Sequence, residues 1–269
     1  MSPASESHLR TFLQTRPRPC PYLAGRTERN LVTILAPRNN SRLFDTLSVA
    51  GFRRSHGLLY RPVCDACQAC VPVRILADHF QPSRTMRRMM ARNSDLTVGI
   101  EPAVATPEQF DLFRRYQHTR HGDSEMARMD FQDYRAMVED SPVETLMVTL
   151  RGDDRTLVAV GLTDRIADGL SAVYSFFDPR QARRSLGSQV IVNLIDLAQQ
   201  EGRPHVYLGY WIAASAKMAY KSRYRPLEAL TRHGWRPFDE AALNQPMSGP
   251  RDERDLAAAT ESSLEIGPR

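Results

Sequence analysis

The chain has 269 residues, 42% of them apolar, and a formal net charge of +5. That content supports a core for one large domain or two small ones, and no run of 18 or more apolar residues offers a membrane span. The first ten residues are polar and lack the apolar stretch of a secretory signal, so a cytoplasmic protein with no membrane partner is expected.

The charge is uneven. Residues 51–92 carry Arg53, Arg54, Arg61, Arg74, Arg84, Arg87, Arg88 and Arg92 against only Asp65 and Asp78, so this window alone is +6. Such a local excess suits a polyanion such as RNA; the plainer alternative is a solvated surface in an Arg-biased chain.

In chain order, residues 1–18 read as a flexible lead-in. The run NLVTILAP, over about 29–36, reads as a short strand. Ser41 is placed to cap a helix from Leu43 to Ala50, which stops at Gly51. A Cys-rich turn and the strand-like VPVRI follow. Pro82-Ser83 opens a helix with Arg84, Arg88 and Arg92 at four-residue spacing and Arg87 beside them. Thr106-Pro107 starts another, with Gln109 in the capping-box position. Asp130–Glu139 is a third helix, with Phe131, Tyr134 and Val138 on one side.

Three strands are then expected, Glu144–Leu150, Thr156–Thr163 and Leu170–Phe177, with turns at Gly152-Asp153 and Asp168-Gly169. Ser185 is expected to cap a helix that Gly202 ends. Val206–Trp211 is a strand, and beyond Gln245 the polar, Pro- and Gly-containing chain reads as disordered. Strand–strand–strand–helix–strand after a helical opening is the order of an acetyltransferase-like (GNAT) α/β domain. The expected fold is therefore α+β: a smaller Cys-containing N-terminal α+β part over 19–100, a GNAT-like acyltransferase domain over 101–245, and a tail over 246–269.

Four motifs can carry chemistry. All four cysteines lie in the first 70 residues, as Cys20 and Cys64-x2-Cys67-x2-Cys70. Thiolates at that spacing can share a zinc ion or an iron–sulfur cluster, with Cys20 as a fourth ligand; the alternative is a set of free thiols. Lys217 and Lys221 are the only lysines, four apart among Tyr210, Tyr220 and Tyr224. A compact ammonium with an adjustable pKa is one reason to keep Lys where Arg is otherwise used, and a helix-surface pair is the other reading. Asp178 ends the strand YSFFDP, where a carboxylate can face a cleft and orient an amine, or simply form a turn before Pro179. Arg183–Gly187 opens a helix whose backbone N–H groups can hold an anion. Read from Arg184, however, the pattern R-x-x-G-x-G/A ends in Gln189, which argues against coenzyme A.

Several long segments carry a resemblance. CPYLAGR (20–26), GFRRSHGLLYRPVCDACQACVPVRI (51–75), FQPSRTMRR (80–88), RRSLGSQVIVNLI (183–195) and YLGYWIAASAKMAYKSRYRPLE (207–228) resemble bacterial aspartate/glutamate leucyltransferases, relatives of the eukaryotic arginyl-tRNA–protein transferases. The likeness spans about residues 18–240. The arginyl relatives carry a Cys where this chain has Leu23, and a Cys pair in place of CDACQAC. The family implies transfer of Leu from Leu-tRNA to proteins beginning with Asp or Glu, marking them for degradation. It also implies a GNAT-like C-terminal domain and no cofactor for the transfer itself.

On that footing Asp178, Lys217, Tyr210 and Tyr220 are the expected catalytic residues. Arg74, Arg54 and Tyr22 would bind the acceptor. Arg84, Arg87, Arg88, Arg92, Arg184 and Lys221 would bind tRNA. Cys20, Cys64, Cys67 and Cys70 would hold any structural zinc or iron–sulfur cluster. A monomer is expected. A CoA-dependent N-acetyltransferase and a non-catalytic, metal-stabilised tRNA-binding protein are the alternatives.

Overall fold

The computed structural model describes residues 11–35, 41–122 and 124–243. The expected tail and the first ten residues of the expected lead-in lie outside the described residues.

Three short strands come first: β1 (Leu13–Gln14), β2 (Arg18–Pro19) and β3 (Thr27–Glu28). They are followed by β4 (Asn30–Ile34), helix α1 (Ser41–Val49), β5 (Arg53–Ser55) and β6 (Leu58–Pro62). β2 and β3 pair with each other, and the rest make an antiparallel sheet in the order β1-β4-β6-β5. Leu13 and Gln14 pair with Val32 and Leu31, so the end of the expected lead-in is tied to a strand. Phe44 and Leu47 of α1 close a small core with Leu35, Phe52 and Leu59, and this core also touches Ile166 and Tyr207 far along the chain.

The run VPVRIL forms β7 (Val71–Leu76), followed by α2 (Arg84–Arg92), β8 (Thr97–Pro102), α3 (Pro107–His121) and α4 (Phe131–Glu139). The starts of α2 and α3 are capped as read. Ser83 Oγ accepts the Met86 N–H at 3.3 Å. Gln109 N–H donates to Thr106 Oγ1 at 3.2 Å while Thr106 N–H donates to Gln109 Oε1 at 3.0 Å.

Then come β9 (Thr145–Arg151), β10 (Leu157–Ile166), β11 (Gly169–Phe177), α5 (Leu186–Gln200) and β12 (His205–Trp211). A one-turn helix α6 (Ala216–Ala219), β13 (Leu227–Thr231), β14 (Gly234–Pro237) and α7 (Glu240–Leu243) complete the described chain. Two expectations at helix starts change. Ser41, expected as a cap, is itself the first residue of α1. Ser185 precedes α5 in the left-handed region (φ 54°), and its side chain makes no capping bond. Its carbonyl accepts the N–H groups of Ser188 and Gln189 instead.

The large sheet has eight strands in the order β14-β13-β7-β12-β11-β10-β9-β8. Only β11 and β12 run parallel. β7, from the Cys-containing part of the chain, sits between β12 and β13. Pro72 lies in that interior strand, which a proline normally disrupts because it cannot donate to the ladder. It sits opposite Tyr210, where the β7–β12 register shifts between Tyr207 and Gly209.

Alternation decides what covers each face. Leu146 and Val148 of β9 meet Ile191, Leu194 and Ile195 of α5 on one side. Met147, Val160, Leu162 and Phe176 meet Leu112 and Phe113 of α3 and Tyr134 of α4 on the other. Each such side chain buried contributes roughly 1.5–3 kcal/mol relative to exposure. Gly161 is needed for the α5 contact, since a Cβ there would lie 2.5 Å from Val190 Cγ1.

One feature of this sheet prepares a site. β11 and β12 pair only at Gly169–His205, Leu170–Val206 and Ser171–Tyr207. Past those residues the two strands part, β11 running on to Phe177 and β12 to Trp211.

Candidate functional site

The apex of the cleft between β11 and β12 holds Arg53, delivered by β5. Arg53 Nη1 donates to Ser171 Oγ at 3.0 Å, and Nη2 donates to the carbonyl of Ala172, the first residue past the last strand pair. Gly209 leaves room for the guanidinium. Its φ is +73°, and a Cβ there would stand 2.9 Å from Arg53 Nε and 3.1 Å from Cζ.

Phenols surround this cation. The rings of Tyr60 and Tyr210 are 6.3 Å apart. Tyr22, Tyr60, Tyr210 and Tyr220 all lie within reach of the Arg53 charge. Burial, then Tyr60 and Cys70, pushes the Tyr22 hydroxyl up to about 12. These phenols therefore act as neutral hydrogen-bonding groups near neutral pH. Lys221 is buried beside them, and burial, helped by Arg53, lowers its ammonium to about 7. Its Nζ donates to the Tyr210 carbonyl at 2.5 Å and lies 3.7 Å from Met218 Sδ.

The wider end of the cleft is aromatic and basic. Tyr116 of α3 meets Phe177 of β11 edge-on, with centroids 4.9 Å apart, and His121 at 5.6 Å. The Arg120 guanidinium lies 5.7 Å from the Phe177 centroid. Gln117 Nε2 donates to Tyr174 Oη at 2.7 Å. Lys217 is exposed here, and its charge, after burial, helps lower the pKa of His121. Tyr220 feels both Arg53 and Tyr116, so it links the apex to the mouth.

The structure thus brings Tyr22, Tyr210, Tyr220 and Lys221 together around Arg53, with Lys217 at the mouth. Several expected roles change. The Tyr210 hydroxyl is buried and donates towards the carbonyls of Gly51 and Tyr60, at 3.0 and 3.2 Å, so it braces the N-terminal sheet. Lys221 is sealed from solvent and does not face a phosphate backbone.

Asp178 caps its own turn. Its carboxylate accepts the Arg180 N–H at 3.1 Å, a two-pronged contact from the Arg180 guanidinium, and Gln181 Nε2. The Arg180 hydrogen bonds hold that carboxyl below the usual range, which makes it a weaker base rather than a better one.

Arg54 and Arg74 already hold carboxylates. Arg54 is buried against Asp164 at 2.7 Å. Arg74 donates to Glu228 at 2.8 Å and to Tyr207 Oη at 2.9 Å, lies 3.5 Å from Asp168, and stacks 4.4 Å from the Trp235 centroid. Neither is open to an incoming acid.

Arg84, Arg87, Arg88 and Arg92 are all exposed on α2. Arg92 donates to the carbonyl of Arg183, and Arg184 binds Asn93 and Asp95. The Arg stripe therefore runs into the turn Pro179–Arg184 at the end of β11. Arg184 serves that joint and is only partly accessible.

Cys70 lies close to Tyr22 and Tyr60, with the other three cysteines around it. Burial raises the Cys70 thiol to about 12, and Cys64, Cys67 and Cys20 add to the shift, which places all four near one another. None is in a disulfide. Among the described residues, no group of three or more His, Cys, Asp or Glu side chains is placed to share one ion. The donor chemistry suits zinc or iron–sulfur, but the side chains as arranged do not converge on a metal position.

Sequence reasoning missed Arg53, Tyr60, Tyr116, His121 and Tyr174 as members of one site. Arg53 and Arg54 are adjacent and alike, and only the fold tells which one faces the cleft.

The chain is a transferase. It belongs to the arginine-tRNA-protein transferase family: the family's N-terminus model matches residues 18–88 and its C-terminus model matches residues 108–231. An aspartate/glutamate leucyltransferase of Gluconacetobacter diazotrophicus is 52% identical over 232 residues, covering 86% of this chain and 89% of that protein. One from Paramagnetospirillum magneticum is 53% identical over 227 residues, covering 84% and 93%. Among solved structures, that of L-PGS from Bacillus licheniformis is 11% identical, covers 67% of this chain and 52% of that one, and gives a TM-score of 0.42. Among the described residues, no helix is long and apolar enough to cross a membrane.

Proposed function

We propose that this chain transfers leucine from Leu-tRNA to the α-amine of proteins that begin with Asp or Glu, marking them for degradation, as a cytoplasmic monomer. The observation that carries the reading is the likeness to the two leucyltransferases over nearly their whole length. Element order supports a GNAT-like acyltransferase fold for the C-terminal part. β8, α3, α4, β9, β10, β11, α5 and β12 follow one another in that sequence, and the parallel pair parts to open a cleft.

The chemistry asks little beyond placement. The aminoacyl ester is already activated, and an α-amine with a pKa of roughly 7.7–8.0 is partly neutral at cytosolic pH. Its nitrogen attacks the ester carbonyl, the C–O bond to ribose breaks, and the proton lost by nitrogen ends on the ribose oxygen. A site that holds both reactants and steadies the oxyanion supplies most of the acceleration.

The mouth of the cleft suits the tRNA 3′ end. Tyr116 and Phe177 offer stacking surfaces, and Arg120 and Lys217 offer charge. Tyr220, a neutral phenol between mouth and apex, is placed to donate to the developing oxyanion. The exposed Arg84, Arg87, Arg88 and Arg92 would take acceptor-stem phosphates. Structural zinc or iron–sulfur at the four cysteines stays a separate proposal, checked by metal analysis of anaerobically purified protein, and no step of transfer runs through it.

The test is a single-turnover assay with labelled Leu-tRNA and a peptide beginning with Asp, run beside acetyl-CoA. Formation of Leu-Asp-peptide from the tRNA, with nothing from acetyl-CoA, supports the reading. Acetylation, or tRNA binding without transfer, contradicts it.

A further inference from the structure

We propose that Arg53 is the specificity residue of the acceptor site, pairing with the side-chain carboxylate of the protein's first residue at the apex of the β11–β12 cleft. This rests on the leucyltransferase reading and adds the residue that makes it selective for acids.

Of the arginines in the basic window that reach the large sheet, Arg54 pairs with Asp164, and Arg74 pairs with Glu228 and Asp168. Arg53 reaches it too, yet its contacts are a hydroxyl and a carbonyl, and among the described residues no carboxylate pairs with it. A half-buried cation held only by neutral groups is poised for an anion. Two of its five N–H donors are used, so the remainder can form a forked contact with a carboxylate.

The surroundings select the same ligand. Tyr22, Tyr60 and Tyr220 are neutral phenols that can donate to an anion. The acid whose charge reaches this cluster is Glu28, and it is already paired with Arg18. Among the described residues, an incoming carboxylate therefore meets the Arg53 guanidinium, with Lys221 buried behind it against the Tyr210 carbonyl, and no unpaired carboxylate. Ser171 and Ala172 hold the guanidinium at the point where the strands part, and Gly209 keeps its path clear. An acceptor that seats its first side chain there leaves its α-amine towards Tyr220 and the mouth, where the ester would lie.

Steady-state transfer from Leu-tRNA to four matched peptides, beginning Asp, Glu, Asn and Gln, tests this. The wild type is compared with Arg53→Lys, Arg53→Met and Ser171→Ala, and Leu-tRNA affinity is measured for each. Losing a charge-assisted pair should raise KM for the Asp and Glu peptides roughly 10- to 100-fold in Arg53→Met. The preference for Asp over Asn should collapse towards one, and Leu-tRNA affinity should hold. Arg53→Lys should fall between the two. Ser171→Ala, which keeps the charge but loosens its seat, should raise the same KM by a smaller factor, and it decides the matter if the Arg53 variants melt early. An unchanged Asp-to-Asn ratio in Arg53→Met, a fall in tRNA affinity instead, or an unaltered KM in Ser171→Ala overturns the assignment. A wild type that uses none of the four peptides contradicts the transferase reading itself, which separates the two failures.

Discussion

The guanidinium of Arg54 grips the carboxylate of Asp164 through two contacts of 2.7 Å, with both side chains shut off from solvent. Thr145 Oγ1 donates a further 2.7 Å bond to the same carboxylate. The pair fastens the small N-terminal sheet to strand β10 and so fixes where β5 delivers Arg53. Removing one partner leaves a buried charge alone, at a cost of about 3–5 kcal/mol. Asp164→Asn and Arg54→Met should each lose that much in urea unfolding. The double variant Arg54→Met/Asp164→Leu should lose less than the sum of the two, because it leaves no orphaned charge.

Gly209 should tolerate no side chain. In Gly209→Ala, the positive φ costs about 1–2 kcal/mol, and the new methyl group falls within 3 Å of Arg53 Nε. Transfer to Asp peptides should fall far more than this modest loss of stability explains. Kinetics and a thermal melt on the same preparation check it, and parallel loss of both would show only misfolding.

The exposed stripe on α2 should act through phosphates. Arg84→Ala and Arg88→Ala should each weaken Leu-tRNA binding. Each should also reduce the slope of log affinity against log salt by about one. Binding titrations across a salt series measure both, and KM for peptides should stay put.

Lys221 gives a pH signature. Burial, aided by Arg53, holds it near 7 in the folded chain, against 10.5 for a free lysine. Between those values the unfolded chain binds a proton that the native chain does not, so stability rises with pH, by at most about 1.4 kcal/mol per unit. The benefit is full above 10.5, is lost progressively as pH falls from there, and is gone once pH drops below about 7. Lys221→Met should flatten this rise between pH 7.5 and 9.5, below the range where raised tyrosine hydroxyls act in the opposite sense. Urea midpoints at several pH values give the comparison.

What could be read from residues alone was local. Thr106 with Gln109, Ser83 before its Arg-bearing helix, and the three strands before α5 follow from caps and alternation, which need only near neighbours. The run VPVRI reads as a strand, but Pro72 argues against an interior one; it is accommodated because the pairing with β13 covers only Val73–Ile75 and leaves Pro72 without a partner on that side. Lys217 and Lys221 read either as a functional pair or as neighbours on one helix surface. The segment instead passes from one turn of α-helix into a 3₁₀ turn at Tyr220, which leaves Lys217 outside and buries Lys221. Arg53 and Arg54 are separated by strand alternation and by Asp164, which is 110 positions away. Asp178, expected as a catalytic carboxylate, reads equally from its residues as a turn former before Pro179, and the Arg180 contacts favour the turn.

The most direct measurement is a donor-by-acceptor matrix: Leu-, Arg- and Phe-tRNA against peptides beginning with Asp, Glu, Arg and Lys, read by mass of the extended peptide. A leucyltransferase selective for acidic N-termini gives a gain of one leucine on the Asp and Glu peptides from Leu-tRNA, and no product in the other combinations. Extension of the Arg or Lys peptides, or extension of the Asp peptide by arginine or phenylalanine in preference to leucine, would contradict it.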